Sequence, residues 1–425
     1  MSDRVVVIGG GVIGLACALR LRQAHREVLL LDAGGPASPA SFGNAGHIAI
    51  EQTRPLASPE SVRSAPGRLF ALGGALDFRL RDIGAWARWA PSYLAASTAE
   101  RAKAGEWALG GLLASAIPAW RRLAADMGAP ELLIEDGHLI AWESAACAKA
   151  GLAHWSSAQT GQAVVHPMTP REVDELSSLT TVHIAGAARV MNTAQISDPI
   201  QMMQSLDKSF RSLGGARRAA RVTSLRRAGQ GTEIVLAGGE VLPCAQVVVA
   251  AGVGSGALLE GLGYAAPVIA ERGYHVEATL DGDGAPWRCS PPVVFEDRSM
   301  IVTCFGDRLR ASSFVEFGRE DSAPDKRKWA RLKRHCVELG LPMRAPFSEW
   351  MGARPTLPDY LPAIGTGEGG LVYAFGHQHL GLTLAALTGE LVADLATGRD
   401  PAINLAAFDL DRFAGRKPSN MERRA

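Results

Sequence analysis

The chain has few cysteines, and none of the six (Cys17, Cys147, Cys244, Cys289, Cys304 and Cys336) forms a CxxC pair. Scattered in this way they exclude a disulfide framework and a cysteine-based zinc site, and they fit a reducing compartment. A surplus of one charge sign is also missing: 44 Lys+Arg stand against 43 Asp+Glu, a net of +1. Without a cationic excess to neutralise phosphates, nucleic acid is not an expected partner. No run reaches the ~18 apolar residues that a membrane span needs. The uncharged stretch 5–19 is interrupted by three consecutive glycines and leads into further patterned sequence, so it reads as fold rather than as a leader peptide. There is no internal repeat and no low-complexity block. With 47% hydrophobic and 20% charged residues, disorder as the main state is excluded. A length of 425 residues predicts two or three domains.

Glycine, by contrast, is abundant. There are 47 in 425 residues, where the usual ~7% would give about 30. An excess without a collagen period points to tight turns and to backbone that approaches a ligand closely. The first turn of this kind follows residues 4–8, an apolar, β-branched run that reads as a buried parallel strand. Residues 12–23 read as a helix and 27–32 as a second strand, giving a βαβ unit. Residues 33–67 read mostly as loop. Between 68 and 128 the pattern is helical, with Trp86, Trp89 and Tyr93 on one helix face, best explained by packing on the protein's own core. Strands are predicted at 133–142, 221–225, 233–236 and 246–250, alternating antiparallel strands over 268–280 and 293–317, and a buried strand at 371–375. Helices are predicted from the Asp198-Pro199 cap, over 325–340 and over 382–397, and fraying from 414.

The chemistry begins at Gly9-Gly10-Gly11-Val12-Ile13-Gly14. A GxGxxG between a strand and a helix, with Asp32 ending the next strand, is the dinucleotide-binding context. Gly9 permits the turn, Gly11 admits a pyrophosphate, and Gly14 allows helix and strand to pack closely. The helix N-terminus offers N–H groups and partial positive charge to phosphate. Asp32 can accept from ribose hydroxyls and would repel a 2′-phosphate.

Three blocks, in order, make the chain resemble the D-amino acid oxidase superfamily of FAD enzymes, above all the bacterial D-amino acid dehydrogenases. They are residues 5–32 followed by Ser41-Phe42-Gly43-Asn44-Ala45-Gly46-His47; Trp350-Met351-Gly352-Ala353-Arg354-Pro355-Thr356-Leu357-Pro358-Asp359; and Gly376-His377-Gln378-His379-Leu380-Gly381. The resemblance runs almost end to end. It implies an α/β Rossmann-like FAD domain built from 1–50, 190–265 and 352–425, and an antiparallel α+β substrate domain from 51–189 and 266–351. It implies non-covalent FAD held by Gly9, Gly11, Val12, Ile13, Gly14, Asp32, Ala33, Ser41, Asn44, Ala45, Gly46, His47, Val222, Ala251, Gly252, Leu380, Gly381, Leu382 and Thr383. Arg354 matches the arginine that clamps the substrate carboxylate, His379 a second cationic contact found in some relatives, and Tyr274 or His275 a pocket-facing position, with Tyr274 favoured. His47 stands where the dehydrogenases often carry a polar residue such as Gln. Asp307-Arg308-Leu309-Arg310 reads as a hairpin turn, and Ser312, Ser313 and Phe314 replace glycines common in the family. No metal is expected, because His377 and His379 lack a third ligand nearby.

The reaction implied is oxidation of a D-amino acid to the imino acid by hydride transfer to FAD. The third block looks most like relatives acting on D-proline or hydroxy-D-proline. Alternatives are a glycine- or sarcosine-type amine, a nicotinamide dehydrogenase, or a non-catalytic FAD-fold binding protein. The expected partners are a small amino acid and an electron acceptor that the sequence does not specify (O2, a quinone or a redox protein). The expected location is cytoplasmic, with contact at the inner face of the membrane left open.

Overall fold

A computed structural model describes residues 4–34, 40–229, 231–282 and 285–414; the fraying expected of the tail falls beyond them. Val5–Ile8, wholly apolar and buried, lies at the centre of a six-stranded sheet. Val28–Asp32 and Gln246–Val249 flank it in parallel, and Ala216–Ala219 and Leu371–Phe375 extend the parallel array on either side. Ala363–Gly367 closes one edge antiparallel. Such unbroken β-branched runs suit strands covered on both faces. The helices Val12–Gln23 and Gly381–Thr397 pack against each other beside this sheet. Gly389 makes that approach close, since a Cβ there would stand 2.8 Å from the Ala16 carbonyl oxygen.

The second layer is a nine-stranded, largely antiparallel sheet. Its long members are Ile269–Leu280, Arg308–Gly318 and Met343–Thr356, with Ile269–Leu280 hydrogen-bonded between the other two. The expected turn at Asp307 joins Met300–Phe305 to Arg308–Gly318. The fold is therefore α/β with an antiparallel second sheet, as the sequence suggested. The parallel sheet draws on separate stretches of the chain.

The helical region resolves into Ile83–Ala96, Ala99–Ala114 and Ala116–Asp126, preceded by a short strand, Leu76–Phe78. Trp89 stacks on Tyr93 and Phe317 and meets Tyr360 edge-on, so the aromatic stripe is core. Asp198 caps Pro199–Ser212 through its carboxylate, which accepts from the Ile200 and Gln201 amides. Segment 33–67, expected as loop, contains the short strand His47–Ile48 and the helix Pro59–Ser64. Helices Ala145–Ser157 and Pro170–Ser177 were not anticipated. The stretch 378–397 is long and apolar enough to span a membrane by composition, yet 72% of it is buried inside the protein.

Candidate active site

A cavity of about 1170 Å3 runs from the glycine turn to the antiparallel sheet. At one end Gly9 adopts φ +112°, a conformation that disfavours a side chain, and a Cβ there would collide with the Ala250 carbonyl. Gly10 donates its N–H to Asp32 Oδ1 at 3.3 Å, and a Cβ on Gly10 would sit 2.5 Å from that carboxylate. The Val12 amide, at the helix start, donates to Ser41 Oγ at 3.0 Å. Gly11, Val12, Ile13, Asp32, Ala33, Ser41, Val222, Ala251 and Gly252 all line this end. Gly14 does not; it packs on the Gly9 carbonyl and serves helix–strand contact, as its place in the motif predicts. Arg217, from the strand beside Asp32, bonds Asp32 Oδ2 at 2.5 Å and Asp207 Oδ1 at 2.8 Å. Sequence reading did not single it out. This backbone cradle, with a helix N-terminus at one side and a carboxylate at the strand end, fits a dinucleotide.

Loop 41–47 forms the cavity's middle. Asn44 closes it by donating to the Ser41 carbonyl and accepting from the Gly46 amide at 2.6 Å. Gly46 itself, at φ +74°, lies behind the wall. Arg310, buried, donates to the carbonyls of Asn44 (2.6 Å) and Phe42 (3.2 Å) while paired with Glu277. The residue expected in a turn therefore anchors the loop. His275 Nδ1 lies 3.0 Å from the Gly43 carbonyl, so it donates there, and its ring stacks on Trp350 at 5.0 Å. Burial depresses His275 to about 3, so it is neutral.

At the far end Arg354 Nη1 donates to Glu271 Oε1 at 3.0 Å and to the Phe314 carbonyl at 3.2 Å. Glu271 is fully buried and also accepts from Tyr360 (2.9 Å) and Thr356 (3.2 Å). Nη2 of Arg354 bonds no described protein group, and the side chain keeps 26% exposure, facing the cavity. A guanidinium fixed on one side and open on the other suits a carboxylate. Tyr274 lines the cavity, but its hydroxyl is turned away. It donates to Glu316 Oε1 at 2.8 Å and accepts from the Asp325 amide at 3.1 Å, inside a buried cluster with Arg272 and Lys328. Of the two strand neighbours, Tyr274 rather than His275 lines the cavity, and it does so with its ring.

Gly381 and Leu382 bring the last helix's N-terminus to the cavity; Leu380 and Thr383 sit behind it, Thr383 Oγ1 accepting from the Ala49 amide at 3.0 Å. His377 Nε2 meets Thr388 at 3.0 Å, whereas His379 Nε2 meets Gln52 Oε1 at 2.5 Å, so the two rings have separate partners. Burial lowers His379 to about 4. The cationic contact expected there is thus a neutral imidazole at pH 7. His47 lines the cavity with its ring edge-on to His138 (4.3 Å) and its Nε2 3.9 Å from Glu51 Oε2. Glu51, Gln52 and His138, also on the wall, were not foreseen.

A glycine cradle suited to a dinucleotide opens onto an antiparallel sheet that presents Arg354 with Nη2 facing the cavity, the layout of a dinucleotide-dependent oxidoreductase. The chain belongs to the FAD dependent oxidoreductase (DAO) family, whose profile matches residues 4–395. It is 33% identical over 427 residues to a D-amino-acid oxidase of Bradyrhizobium diazoefficiens, covering 96% of this chain and 98% of that protein. It is 29% identical over 440 residues to a D-amino acid dehydrogenase of a Methylobacterium species, covering 96% and 99%. Among solved structures, glycine oxidase of Geobacillus kaustophilus has a TM-score of 0.72 at 22% identity, covering 97% and 99%; at that identity it speaks for the fold. The protein is an FAD-dependent oxidoreductase acting on amino donors.

Proposed function

We propose that the chain oxidises a D-amino acid, cyclic ones such as D-proline or hydroxy-D-proline included, to its imino acid. The observation that carries this reading is Arg354, held by Glu271 and the Phe314 carbonyl with Nη2 open to the cavity. The arginine takes the carboxylate and so fixes the α-carbon. FAD, when bound in the Gly9–Asp32 cradle, supplies the hydride acceptor. Loop 41–47, locked by Arg310, and the helix end at Gly381 would hold its ring. His379 offers a neutral hydrogen bond beside the substrate. The substrate nitrogen must be neutral before the α-hydrogen can depart as hydride. The imine formed then hydrolyses, or persists where it is part of a ring. In this reading the cofactor domain comprises 1–50, 190–265 and 352–425, and the rest forms the substrate domain.

The relatives named as D-amino-acid oxidase and dehydrogenase support the donor class. The test is anaerobic flavin bleaching by a panel of D-amino acids, with D-proline and hydroxy-D-proline beside glycine and sarcosine. Bleaching by the D-acids supports the reading, and bleaching by sarcosine or simple amines alone overturns it. The reduced protein, mixed with air or with a quinone, then identifies its acceptor.

A further inference from the structure

The substrate amine arrives as an ammonium ion, and its proton must be taken up inside a buried chamber. Most groups on the wall are unsuited. Arg354 is a permanent cation. Glu271 is engaged by Arg354, Thr356 and Tyr360. Asp32 and Asp207 lie at the other end, paired with Arg217. Burial keeps His377 at about 3 and His379 at about 4. Glu51 differs. It is 4% exposed, lines the cavity, and its Oε2 has no hydrogen-bond partner. Opposite it, His47 Nε2 also lacks a partner, at 3.9 Å. A buried, unmatched pair of polar atoms is costly unless a ligand completes it.

We propose that Glu51 is the proton acceptor for the substrate amine, with His47 and His138 as positioning residues. This rests on the amino acid oxidation proposed above. The substrate N–H bond breaks, its proton passes to Glu51 Oε2, and the electron pair stays on nitrogen. That pair is then free to form the C=N bond, and FAD, when bound, would take up the α-C–H pair as hydride. The scaffold is built for this: Thr193 Oγ1 meets His138 Nδ1 at 3.0 Å, His138 meets the His47 ring, and Gln52 ties the segment to His379. The ionisable groups beside Glu51 are His47 from its own segment and His138 from strand His138–Trp142, the polar atoms of the three lying within 4.8 Å of one another. His379 acts on His47, and Arg354 and Glu271 act on His379. Burial holds all three imidazoles neutral and raises Glu51 to about 7.

Glu51→Gln keeps the shape and removes the base. In the wild-type holoenzyme kcat/KM should climb with pH through about 7. In Glu51→Gln that limb should vanish and the plateau should fall roughly 100-fold, at the low end of what a general base supplies; Glu51→Asp should recover part of it. A second measurement needs no turnover. Calorimetric binding at pH 8 compares 2-methylalanine, which has an amine but no α-hydrogen, with isobutyrate, which has no amine. Glu51→Gln should weaken 2-methylalanine about tenfold and leave isobutyrate and FAD content unchanged. Equal losses for both ligands, or an unchanged pH limb, would overturn the assignment. Should no amino acid bleach the wild-type flavin, the proposed reaction fails instead, and the binding pair still reads Glu51.

Discussion

Gly273 and Arg354 are interlocked: a Cβ on Gly273 would overlap the Nη2 of Arg354, the donor left open to the cavity. Strand Ile269–Leu280 thus yields one side chain's volume so that the guanidinium can lie across it, while Glu271, two residues earlier, faces Arg354 in register and grips Nη1.

Gly273→Ala should therefore act on substrate and spare the cofactor. The added Cβ would stand 2.3 Å from Nη2, so the guanidinium must withdraw by about 1 Å to reach ordinary contact. Misplacement of ~1 Å costs about 100-fold in rate. Steady-state kcat/KM should fall by roughly that factor at unchanged FAD content; a wild-type rate would mean that Nη2 does not bind the carboxylate.

Arg354→Ala removes the clamp itself. Losing one partner of a desolvated charge pair costs ~2–5 kcal/mol, or roughly 30- to 5,000-fold in kcat/KM. The wild type should strongly prefer an amino acid over its decarboxylated amine, and the variant should lose most of that preference. A variant that still discriminates would place carboxylate recognition elsewhere.

Asp32→Ala should weaken FAD retention while leaving Arg354 chemistry intact. The carboxylate accepts from the Gly10 amide and from Arg217. Losing charge-assisted bonds to ribose costs ~1.5–3 kcal/mol, or roughly 10- to 150-fold in affinity. Equilibrium dialysis against FAD measures it, and undiminished affinity would remove the ribose role from Asp32.

Acid should destabilise the fold well above the carboxylate range. His47, His138, His275, His377 and His379 are buried and held below the ordinary 6.5. Between about pH 6.5 and 4 the unfolded chain binds protons at these sites and the native chain does not, so stability falls as pH falls, by about 1.4 kcal/mol per unit for each histidine. Glu51, raised to about 7, works the other way between 4.5 and 7, and burial raises Asp136, Glu296 and Glu320 in the same sense, but these four carboxyls face six lowered histidines, His335 included. Tm followed from pH 7.5 to 5 should drop; a flat or rising Tm would contradict neutral burial.

Contiguity decided what could be read from sequence. Gly9, Gly11 and Asp32 belong to one βαβ unit, and Arg354 lies in a distinctive run, so both ends of the cavity were legible. Arg217 carries no local mark; it reaches Asp32 only because its strand pairs in parallel beside Val28–Asp32. Alternation along 269–280 separates Tyr274 from His275 but does not say which face meets the cavity, and a register shift between Arg272 and Tyr274 complicates that side of the strand. Glu51 sits in a stretch rich in turn formers, where a carboxylate reads as solvated, yet it is buried beside His138, which lies far away in the chain. The side-chain periodicity of 83–96 was legible because aromatic stripes report burial directly.

The order of strands across the parallel sheet has a consequence for biosynthesis. Val5–Ile8 leaves the ribosome long before its neighbour Gln246–Val249 is made, and Leu371–Phe375 comes later still. During that interval an apolar, β-branched edge with unpaired amides stands exposed, together with the apolar helix Val12–Gln23, whose partner Gly381–Thr397 does not yet exist. Such edges invite pairing with other chains. The cavity, whose wall draws on Gly9, Ala251 and Gly381, is likewise complete only once the last of these has been made.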